Sequence, residues 1–455
     1  MARPSTARPR IVVIGAGFAG LHTLRRLERR VPRGAAEIVL VAPNDYMLYS
    51  PLLPQVASGL LTPQSVAVSL NRVLRRTRMV PGTAVGVDTE ERVVVIEKIN
   101  GEFTHQRYDR LVLAPGSLTR AFDIPGLRDH AFGNKNLAEA VVLRDHVLAQ
   151  LELANASHDP VEREERCRFI VVGGGYSGTE TAAALERLTQ DMARRYPELR
   201  PLISWHLVDV APHILPELGP KLGDEALDLL RGMGIEVKLG VSVKEVTETR
   251  VTLTDGRVLP CRTLIWTAGT TPSPLMGGLG GEVDRGRLVV GPDMAAPGLP
   301  GVFALGDGAA VPDLSREEGR YCPPTAQYAQ RQGAVAADNV VSSLLGRPLH
   351  EFHHKDLGLV VDLSGKDALA RPLGYELTGL PALGVTRAYH LMAVPSAPSR
   401  ARVLANWAID TLLGGEVARL GFHHGKPSAF VDIEQDHYLA ADAVKKEAAR
   451  LTRGE

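Results

Sequence analysis

The sequence predicts an α/β fold in which two similar strand–turn–helix units share one chain of 455 residues. The stretch IVVIGAGFAGLHTL, residues 11–24, and the stretch FIVVGGGYSGTETAAAL, residues 169–185, have the same order of apolar run, glycine-rich turn and helical pattern. A third stretch, GVFALGDGA, residues 301–309, places another glycine turn after a short apolar run. A chain of this length is sufficient for two or three domains.

The first unit combines a buried strand with a glycine-rich turn. Residues 11–14 are typical of a buried parallel strand, and Gly15, Gly17 and Gly20 follow at the spacing G-x-G-x-x-G. The first glycine permits a tight turn, the second lets the backbone approach a pyrophosphate, and the third allows the helix to pack closely on the strand. The N-terminus of the helix then points at the phosphates. We therefore predict a Rossmann-like domain that binds a dinucleotide.

The second unit repeats every element, with Gly173, Gly175 and Gly178 at the same spacing. A single match could reflect nothing more than the packing of a helix on a strand. Two matches on one template make that alternative much weaker, and the copies are too far apart for a solenoid. The sequence therefore predicts two dinucleotide sites.

The residue that ends the next strand differs between the units. Asp209 is expected at a strand end, where a carboxylate binds a ribose 2′-hydroxyl and repels a 2′-phosphate, which favours NADH over NADPH. The corresponding strand of the first unit ends in Ala42, where an acid is expected. Asn44 and Asp45 are the alternatives, and the sequence leaves both open.

Composition excludes several classes of function. Lys and Arg together number 52, as do Asp and Glu, so no excess of positive charge predicts a nucleic-acid partner. The three cysteines are far apart, which fits a reducing compartment and disfavours a disulfide framework. No stretch reaches the roughly 18 consecutive apolar residues of a membrane-spanning helix. We expect no metal site, because no acid or cysteine completes a set with His350, His353 and His354.

The third glycine turn is predicted to present Asp307 at the end of a short buried strand, where a carboxylate would contact the polyol chain of a flavin nucleotide. Alone, this pattern is an ordinary strand end. Together with the first glycine turn and LVLAPGS, residues 111–117, it resembles the three-part FAD signature of the two-dinucleotide flavoprotein reductases.

Further stretches resemble the type II NADH dehydrogenases, the single-subunit NADH:quinone oxidoreductases. The likeness covers residues 10–345 well and is weaker beyond them. It implies non-covalent FAD, NADH as hydride donor, a membrane quinone (menaquinone or ubiquinone) as acceptor, no metal and no proton pumping. The stretches are VAPNDYMLYSPLLPQVASGLLTP (41–63), VVGGGYSGTETAAAL (171–185), HILPELGPKLGDEALDLLRGMGIEV (213–237), LIWTAGTTPSPL (264–275) and PPTAQYAQRQG (323–333).

The resemblance implies roles for individual residues. Glu180 matches an acidic residue near the contact of nicotinamide and flavin, and Gln327 and Gln330 fall in AQYAQRQG, which resembles the family's A-Q-x-A-x-Q segment at the quinone end of the flavin. The alternatives are a carboxylate favoured by the helix dipole and glutamines on a solvated helix face. FAD would be bound by Gly15, Gly17, Gly20 and Asp307, and NADH by Gly173, Gly175, Gly178 and Asp209.

These assignments predict the domain organisation. The FAD-binding domain is discontinuous, residues 9–125 and 297–345, with the NADH-binding domain, 126–296, inserted, and residues 346–455 form a C-terminal region. Within that region, residues 399–422 are predicted to form an amphipathic helix on a membrane surface, with Trp407 at the interface. Packing of this helix on its own domain is the alternative. The resulting location is peripheral, on the cytoplasmic side of the cell membrane. Arg400, Arg402 and Arg419 are expected near anionic headgroups.

Other functions remain open at this stage. A soluble ferredoxin- or rubredoxin-type reductase would share the fold, and a non-catalytic redox sensor would share the nucleotide sites. Sulfide:quinone reductase chemistry needs paired reactive cysteines near the flavin, and only Cys322 lies close to the flavin motifs in the sequence. The quinone species and the oligomeric state, a homodimer included, are not decided by the sequence.

Overall fold

The computed structural model describes residues 8–120, 122–315, 320–354, 357–421 and 438–453. The strands in the first half of the described chain are β1 (Arg10–Ile14), β2 (Glu37–Ala42), β3 (Tyr46–Leu48), β4 (Ala67–Ser69), β5 (Arg78–Asp88), β6 (Val93–Lys98), β7 (Phe103–Arg107), β8 (Arg110–Leu113), β9 (Ser117–Thr119), β10 (Ala131–Phe132), β11 (Arg168–Val172) and β12 (Ser204–Asp209). The later strands are β13 (Ile235–Leu239), β14 (Val243–Val246), β15 (Arg250–Leu253), β16 (Val258–Pro260), β17 (Thr263–Trp266), β18 (Thr270–Pro272), β19 (Val283–Asp284), β20 (Arg287–Val289), β21 (Val302–Ala304), β22 (Ala309–Ala310), β23 (Val360–Asp362), β24 (Ala368–Ala370) and β25 (Leu377–Thr378).

The α-helices alternate with the strands in the first two thirds of the chain and dominate its end. They are α1 (Phe18–Arg30), α2 (Leu53–Ala57), α3 (Pro63–Val66), α4 (Leu70–Val73), α5 (Leu127–His130), α6 (Leu137–Ala156), α7 (Pro160–Cys167), α8 (Tyr176–Ala193), α9 (Pro220–Gly232), α10 (Ala326–Leu344), α11 (Gly379–Ala393), α12 (Ala397–Leu413) and α13 (Ala441–Arg453).

A seven-stranded sheet forms the core of the first unit, in the order β21-β8-β1-β2-β5-β6-β7. The strands from β21 to β5 are parallel, and β6 and β7 extend the sheet as antiparallel strands. Because parallel strands are covered on both faces, they need apolar residues throughout, as β1 and β2 have. Since β21 follows the second unit in the chain, this sheet is built from two separate parts of the sequence.

The second unit has a five-stranded parallel sheet in the order β10-β17-β11-β12-β13. Its central strand, β11, leads into the second glycine turn, as β1 leads into the first. In both sheets the glycine turn therefore lies at the carboxyl end of a central strand, where α/β proteins bind nucleotides. The predicted α/β fold with two Rossmann-like units is confirmed.

The two chain crossings between the units lie side by side. Strand β9, on the way out of the first unit, pairs antiparallel with β18, on the way back. Thr119 lies opposite Thr270, and Ser117 lies opposite Pro272. This two-stranded ribbon fixes the position of Ser117 next to the returning chain.

The C-terminal region differs from its prediction. Strands β23, β24 and β25 form a small antiparallel sheet. Two helices follow, and α11 was not predicted from the sequence. The helix predicted over residues 399–422 ends at Leu413, because Gly414 has a φ of +84° that does not continue a helix. Residue 422 lies outside the described residues.

Trp407 faces the protein, which corrects its prediction as a membrane-interface residue. Its side chain is only 5% exposed, and Val403 is buried beside it on the same helix face. The indole N–H donates a hydrogen bond of 2.8 Å to the Gln55 side-chain oxygen, which satisfies this polar group inside the protein. Leu412 and Leu413 lie on the outward side and are 80% and 83% exposed.

Two of the arginines expected near headgroups have partners in the protein. The Arg400 guanidinium donates to the backbone oxygens of Val394 and Met392. Arg419 forms an ion pair of 2.7 Å with Glu152. Arg402 lies on the exposed side of α12.

The end of the chain returns to the first sheet. Val444 and Ala448 of α13 pack with Val85 on the antiparallel part of the sheet, and the Leu439 N–H donates to the Val85 oxygen at 3.0 Å. A Cβ atom at Gly86 would overlap Val444, so this glycine allows the helix to lie close to the strand. Within the described residues, α12 is therefore followed by a helix that packs on the first sheet. Among the described helices, none is long and apolar enough to cross a bilayer.

Candidate active site

The first glycine turn follows β1 and begins α1. Gly15 has a φ of +92°, which L-amino acids other than glycine rarely adopt, and its N–H donates to the Val41 oxygen at 2.9 Å. A Cβ atom at Gly15 would overlap the Ala114 oxygen, and one at Gly20 would overlap the Gly15 oxygen. A Cβ atom at Gly17 would meet no atom within 4 Å. Gly15 and Gly20 therefore serve close packing, whereas Gly17 borders open space at the helix N-terminus.

The second turn has the same geometry. The Gly173 N–H donates to the Val208 oxygen at 2.9 Å, and a Cβ atom at Gly173 would crowd the Thr267 side chain. A Cβ atom at Gly178 would overlap the Gly173 oxygen, and one at Gly175 would again meet nothing within 4 Å. Each glycine thus has the same structural role as its counterpart in the first turn.

Asp307 lies in the third glycine turn, directly after β21. Its carboxylate accepts a hydrogen bond of 2.7 Å from the Ser117 hydroxyl, and the Lys135 ammonium lies 3.2 Å from the same hydroxyl. The Gly306 N–H donates to the side-chain oxygen of Gln332 at 2.8 Å. Gln332 is buried and was missed by the sequence analysis, because its partner is a backbone group that no motif records.

Asp209 ends β12 beside the second turn. One carboxylate oxygen accepts the Gly174 N–H, and the other accepts the Ala211 N–H at 2.6 Å. These two bonds fix the orientation of the carboxylate relative to the glycine turn. An oriented carboxylate at this strand end is the arrangement that binds a ribose hydroxyl.

Ala42 ends β2 at the corresponding position of the first unit and is buried. Asn44 and Asp45, the two alternatives for the missing acid, are exposed in the loop that follows. Asn44 and Asp45 both remain predicted alternatives for the acid at the end of this strand.

Glu180 lies in the first turns of α8 and is only 9% exposed. Its Oε1 atom accepts the backbone N–H of Asp362 at 3.0 Å. Burial raises the pKa of the Glu180 carboxyl from its ordinary value of 4.5 to about 8, and the Asp362 carboxylate adds to this rise while the Asp362 N–H opposes it. The carboxyl is therefore mainly protonated at neutral pH.

Gln327 lies at the start of α10 and binds the beginning of the C-terminal region. Its side-chain oxygen is 2.8 Å from the His354 Nε2 atom and accepts the Leu357 N–H at 3.0 Å, and its side-chain nitrogen donates to the Gly358 oxygen at 3.3 Å. The side chain of Gln330 makes no hydrogen bond to the part of the chain that the structure describes.

The segment 357–362 therefore contacts two of the candidate catalytic residues, Gln327 at its start and Glu180 at its end. Five residues of extended chain span at most about 18 Å. This segment of the C-terminal region thus connects Glu180 of α8 with Gln327 of α10.

Comparisons with known proteins agree with this geometry. A family model described as pyridine nucleotide-disulphide oxidoreductase matches residues 9–333. A Mycobacterium tuberculosis protein named type II NADH:quinone oxidoreductase Ndh is 30% identical over 96% of this chain and 95% of its own length. The chain belongs to the type II NADH:quinone oxidoreductase family.

Two further comparisons concern one curated relative and one solved structure. A Synechocystis protein named demethylphylloquinone reductase NdbB is 32% identical over 88% of this chain and 96% of its own length. The solved structure of NDH2 from Plasmodium falciparum in complex with NADH superposes with a TM-score of 0.84 at 18% identity, covering 90% of this chain and all of that chain. The second likeness supports the fold.

The first turn fits the FAD that this type II family implies. The open space at Gly17 lies at the N-terminus of α1, whose first turn contains no acidic residue that would repel a pyrophosphate. Asp307, oriented by Ser117, provides a carboxylate for the polyol chain.

Single replacements of Gly20 and Gly17, two of the three glycines of the first turn, should separate the effect on packing from the effect on ligand binding. Gly20→Ala is expected to destabilise the protein by about 1–3 kcal/mol, because the added methyl group would overlap the Gly15 oxygen. Gly17→Ala, the matched control, should have a smaller effect on unfolding in urea but should weaken FAD retention during gel filtration. If Gly20→Ala unfolded at the wild-type urea concentration, the close approach of α1 to the turn would be wrong.

Proposed function

We propose that this chain oxidises NADH and delivers the electrons through bound FAD to a quinone, without moving protons across a membrane. The observation that carries this proposal is the pair of matching glycine turns, one beside Asp307 and one beside Asp209, in a chain of the type II family. Bound FAD would supply the intermediary that accepts a hydride from NADH and releases electrons to the quinone.

The residues of the chain bind and orient the reactants. Backbone amides near Gly17 would hold the FAD pyrophosphate, and those near Gly175 would hold that of NADH. Burial raises the pKa of the Glu180 carboxyl to about 8, and its Oε1 atom accepts the Asp362 N–H, so Oε2 would carry the proton near neutral pH. A neutral carboxyl beside the nicotinamide avoids a buried negative charge during hydride transfer.

We propose the remaining assignments on the same basis. Residues 9–125 and 297–345 would form the FAD-binding domain, and residues 126–296 the inserted NADH-binding domain. Gln327 and Gln330 would border the quinone end of the flavin. The contacts of Gln327 with the C-terminal region support this, because they tie α10 to the part of the chain that carries the exposed apolar helix α12.

The alternatives have less support. All three cysteines are buried, whereas sulfide:quinone reductase chemistry needs reactive paired cysteines near the flavin. A ferredoxin-type reductase has no need of exposed leucines on its C-terminal helix. A sensor without activity has no need of a buried protonated carboxyl near the nicotinamide.

The purified yellow holoenzyme should oxidise NADH with a short-chain quinone at least tenfold faster than with ferredoxin, measured as the loss of NADH absorbance. Gly175→Val is the matched control, because its side chain would enter the space beside the second turn and block NADH with either acceptor while FAD stays bound. Faster reduction of ferredoxin would favour the soluble-reductase alternative.

Asp209 should set the preference for NADH over NADPH, because a 2′-phosphate would meet its negative charge. The Asp209→Asn variant is expected to lower the ratio of kcat/KM for NADH to kcat/KM for NADPH by a factor that corresponds to about 1–3 kcal/mol. This is the scale of one hydrogen bond to a charged group. Asp228→Asn, which removes a charge from the exposed side of α9, should leave the ratio unchanged. Equal use of both nucleotides by the wild type would contradict the assignment.

We propose that the outward side of α11 and α12 lies on the cytoplasmic face of the cell membrane as a peripheral surface. Leu412 and Leu413 are joined there by further exposed apolar side chains. A patch of this kind fits insertion into the headgroup region, where a lipid-soluble quinone is available. The other exposed side chains are Leu380, Tyr389, Met392, Leu404 and Ile409.

The double replacement Leu412→Ser and Leu413→Ser should lower the partition coefficient for anionic vesicles, measured by sedimentation, at least tenfold. The reason is that burial of one leucine contributes about 1.5–3 kcal/mol. Activity with a short-chain quinone should remain. Ile99→Ser, at an exposed site in the connection between β6 and β7, is the control and should sediment like wild type. Unchanged sedimentation of the double variant would remove α12 from the membrane surface.

A further inference from the structure

A chain of hydrogen bonds connects Glu180 to the inward side of α12. The Asp362 N–H donates to Glu180 at 3.0 Å, and the Asp362 carboxylate accepts the Gln55 side-chain N–H at 3.0 Å. The Gln55 side-chain oxygen accepts the indole N–H of Trp407 at 2.8 Å. The Ser364 N–H donates to the second Asp362 oxygen at 2.8 Å. Four separate parts of the sequence meet in this network.

The side chains of this hydrogen-bonded network are inside the protein and closely packed. Gln55, Glu180 and Trp407 are each less than a tenth exposed. The cavity among the surrounding side chains has a volume of about 20 Å³, which is room for about one water molecule. A change in charge at one end of so compact a network cannot be screened by bulk solvent, so it acts on the neighbouring groups.

Trp407 divides α12 into two sides. Its indole lies on the inward side, while Leu412 and Leu413, about a turn and a half further along, face outward. The helix that bears the exposed leucines is thus joined to the candidate catalytic carboxyl through the Gln55 side chain and through the carboxylate and backbone N–H of Asp362.

The other charged and titratable groups around Glu180 come from three helices. Arg187 of α8 lies 3.7 Å from Asp410 of α12, and Arg387 of α11 lies over the Trp407 ring at 5.3 Å. His390 of α11 shares a hydrogen bond of 3.0 Å with the Tyr49 hydroxyl, and burial lowers the pKa of this histidine to about 4. His390 is therefore neutral above pH 6.

We propose that Asp362 positions the Glu180 carboxyl, and that Asp362 and Gln55 couple the protonation of this carboxyl to the surroundings of Trp407 on α12. The proposal rests on the proposed function only for the role of Glu180 in hydride transfer. Loss of the Glu180 proton places two carboxylates next to each other, and the resulting repulsion acts on the Asp362 side chain and, through the Gln55 amide, on the indole N–H.

A purely structural role for these residues has a different consequence. In that case the Gln55 amide holds α12 in place, but the surroundings of Trp407 do not change when Glu180 titrates. A spectroscopic probe at Trp407, followed as a function of pH, distinguishes the two. The chain contains three tryptophans, so a fluorine label on each gives three resonances that single replacements can assign.

The test is ¹⁹F NMR of the holoenzyme labelled with 5-fluorotryptophan, recorded from pH 6 to pH 10. The Trp407 resonance, assigned by Trp407→Phe, should shift with a midpoint near the pKa of Glu180, about 8. The resonance of Trp266, which lies in β17 of the second sheet, is the internal control and should not shift in this range.

Three variants test the order of the network. Glu180→Gln should abolish the titration of the Trp407 resonance. Asp362→Asn removes a negative charge that raises the Glu180 pKa, so the midpoint should fall by about one pH unit. Gln55→Leu should abolish the shift at Trp407. In this variant the rate of flavin reduction by NADH, followed in a stopped-flow instrument, should keep the change at alkaline pH that the titration of Glu180 causes.

Two results would overturn the proposal. One is a Trp407 resonance that does not titrate in the wild type. The other is a titration that persists in Glu180→Gln, which would assign it to another group. Failure of the proposed function is a separate outcome, because it would show as a holoenzyme that does not oxidise NADH, whatever the resonance does.

Discussion

At each glycine turn the backbone of a helix lies against the carbonyl group at the end of the preceding strand, and no side chain fits between them. Gly20 and Gly178 meet the oxygens of Gly15 and Gly173 in this way. This close approach directs the first amides of α1 and α8 to the carboxyl ends of the two sheets. Asp209 ends β12 next to β11, and Asp307 follows β21, which is parallel to β8 and β1, so each carboxylate lies at the same sheet edge as a glycine turn.

The parts of the fold that follow from local patterns were predictable from the sequence. In the second unit the apolar strand, the glycine turn and Asp209 lie within residues 168–209. In the first unit Asp307 follows its own short apolar strand, so each of these features has a local physical cause. The membrane-surface prediction for Trp407 was wrong because helical spacing cannot show which apolar residues face the protein. Only the Gln55 oxygen, which is distant in sequence, determines that the indole turns inward.

The candidate site was predictable to the extent that motifs describe it. The glycines were identified from their spacing, and Glu180 and Gln327 from the resemblance, whereas Gln332, Asp362 and Gln55 were not identified. These three bind backbone groups or side chains from remote parts of the chain, and such contacts leave no spacing in the sequence. A buried carboxyl is likewise invisible in a sequence, because its burial comes from the C-terminal region that covers it.

The return of β21 to the first sheet has a consequence for biosynthesis. Strand β8 pairs with β21, which is made about 190 residues later. At a translation rate of about 5–20 residues per second, one edge of β8 stays unpaired for about 10–40 s while the whole second unit emerges from the ribosome. An unpaired edge of a parallel, apolar sheet is a site for wrong strand pairing. The nascent chain is therefore most vulnerable to aggregation during this interval, when chaperones have the most to protect.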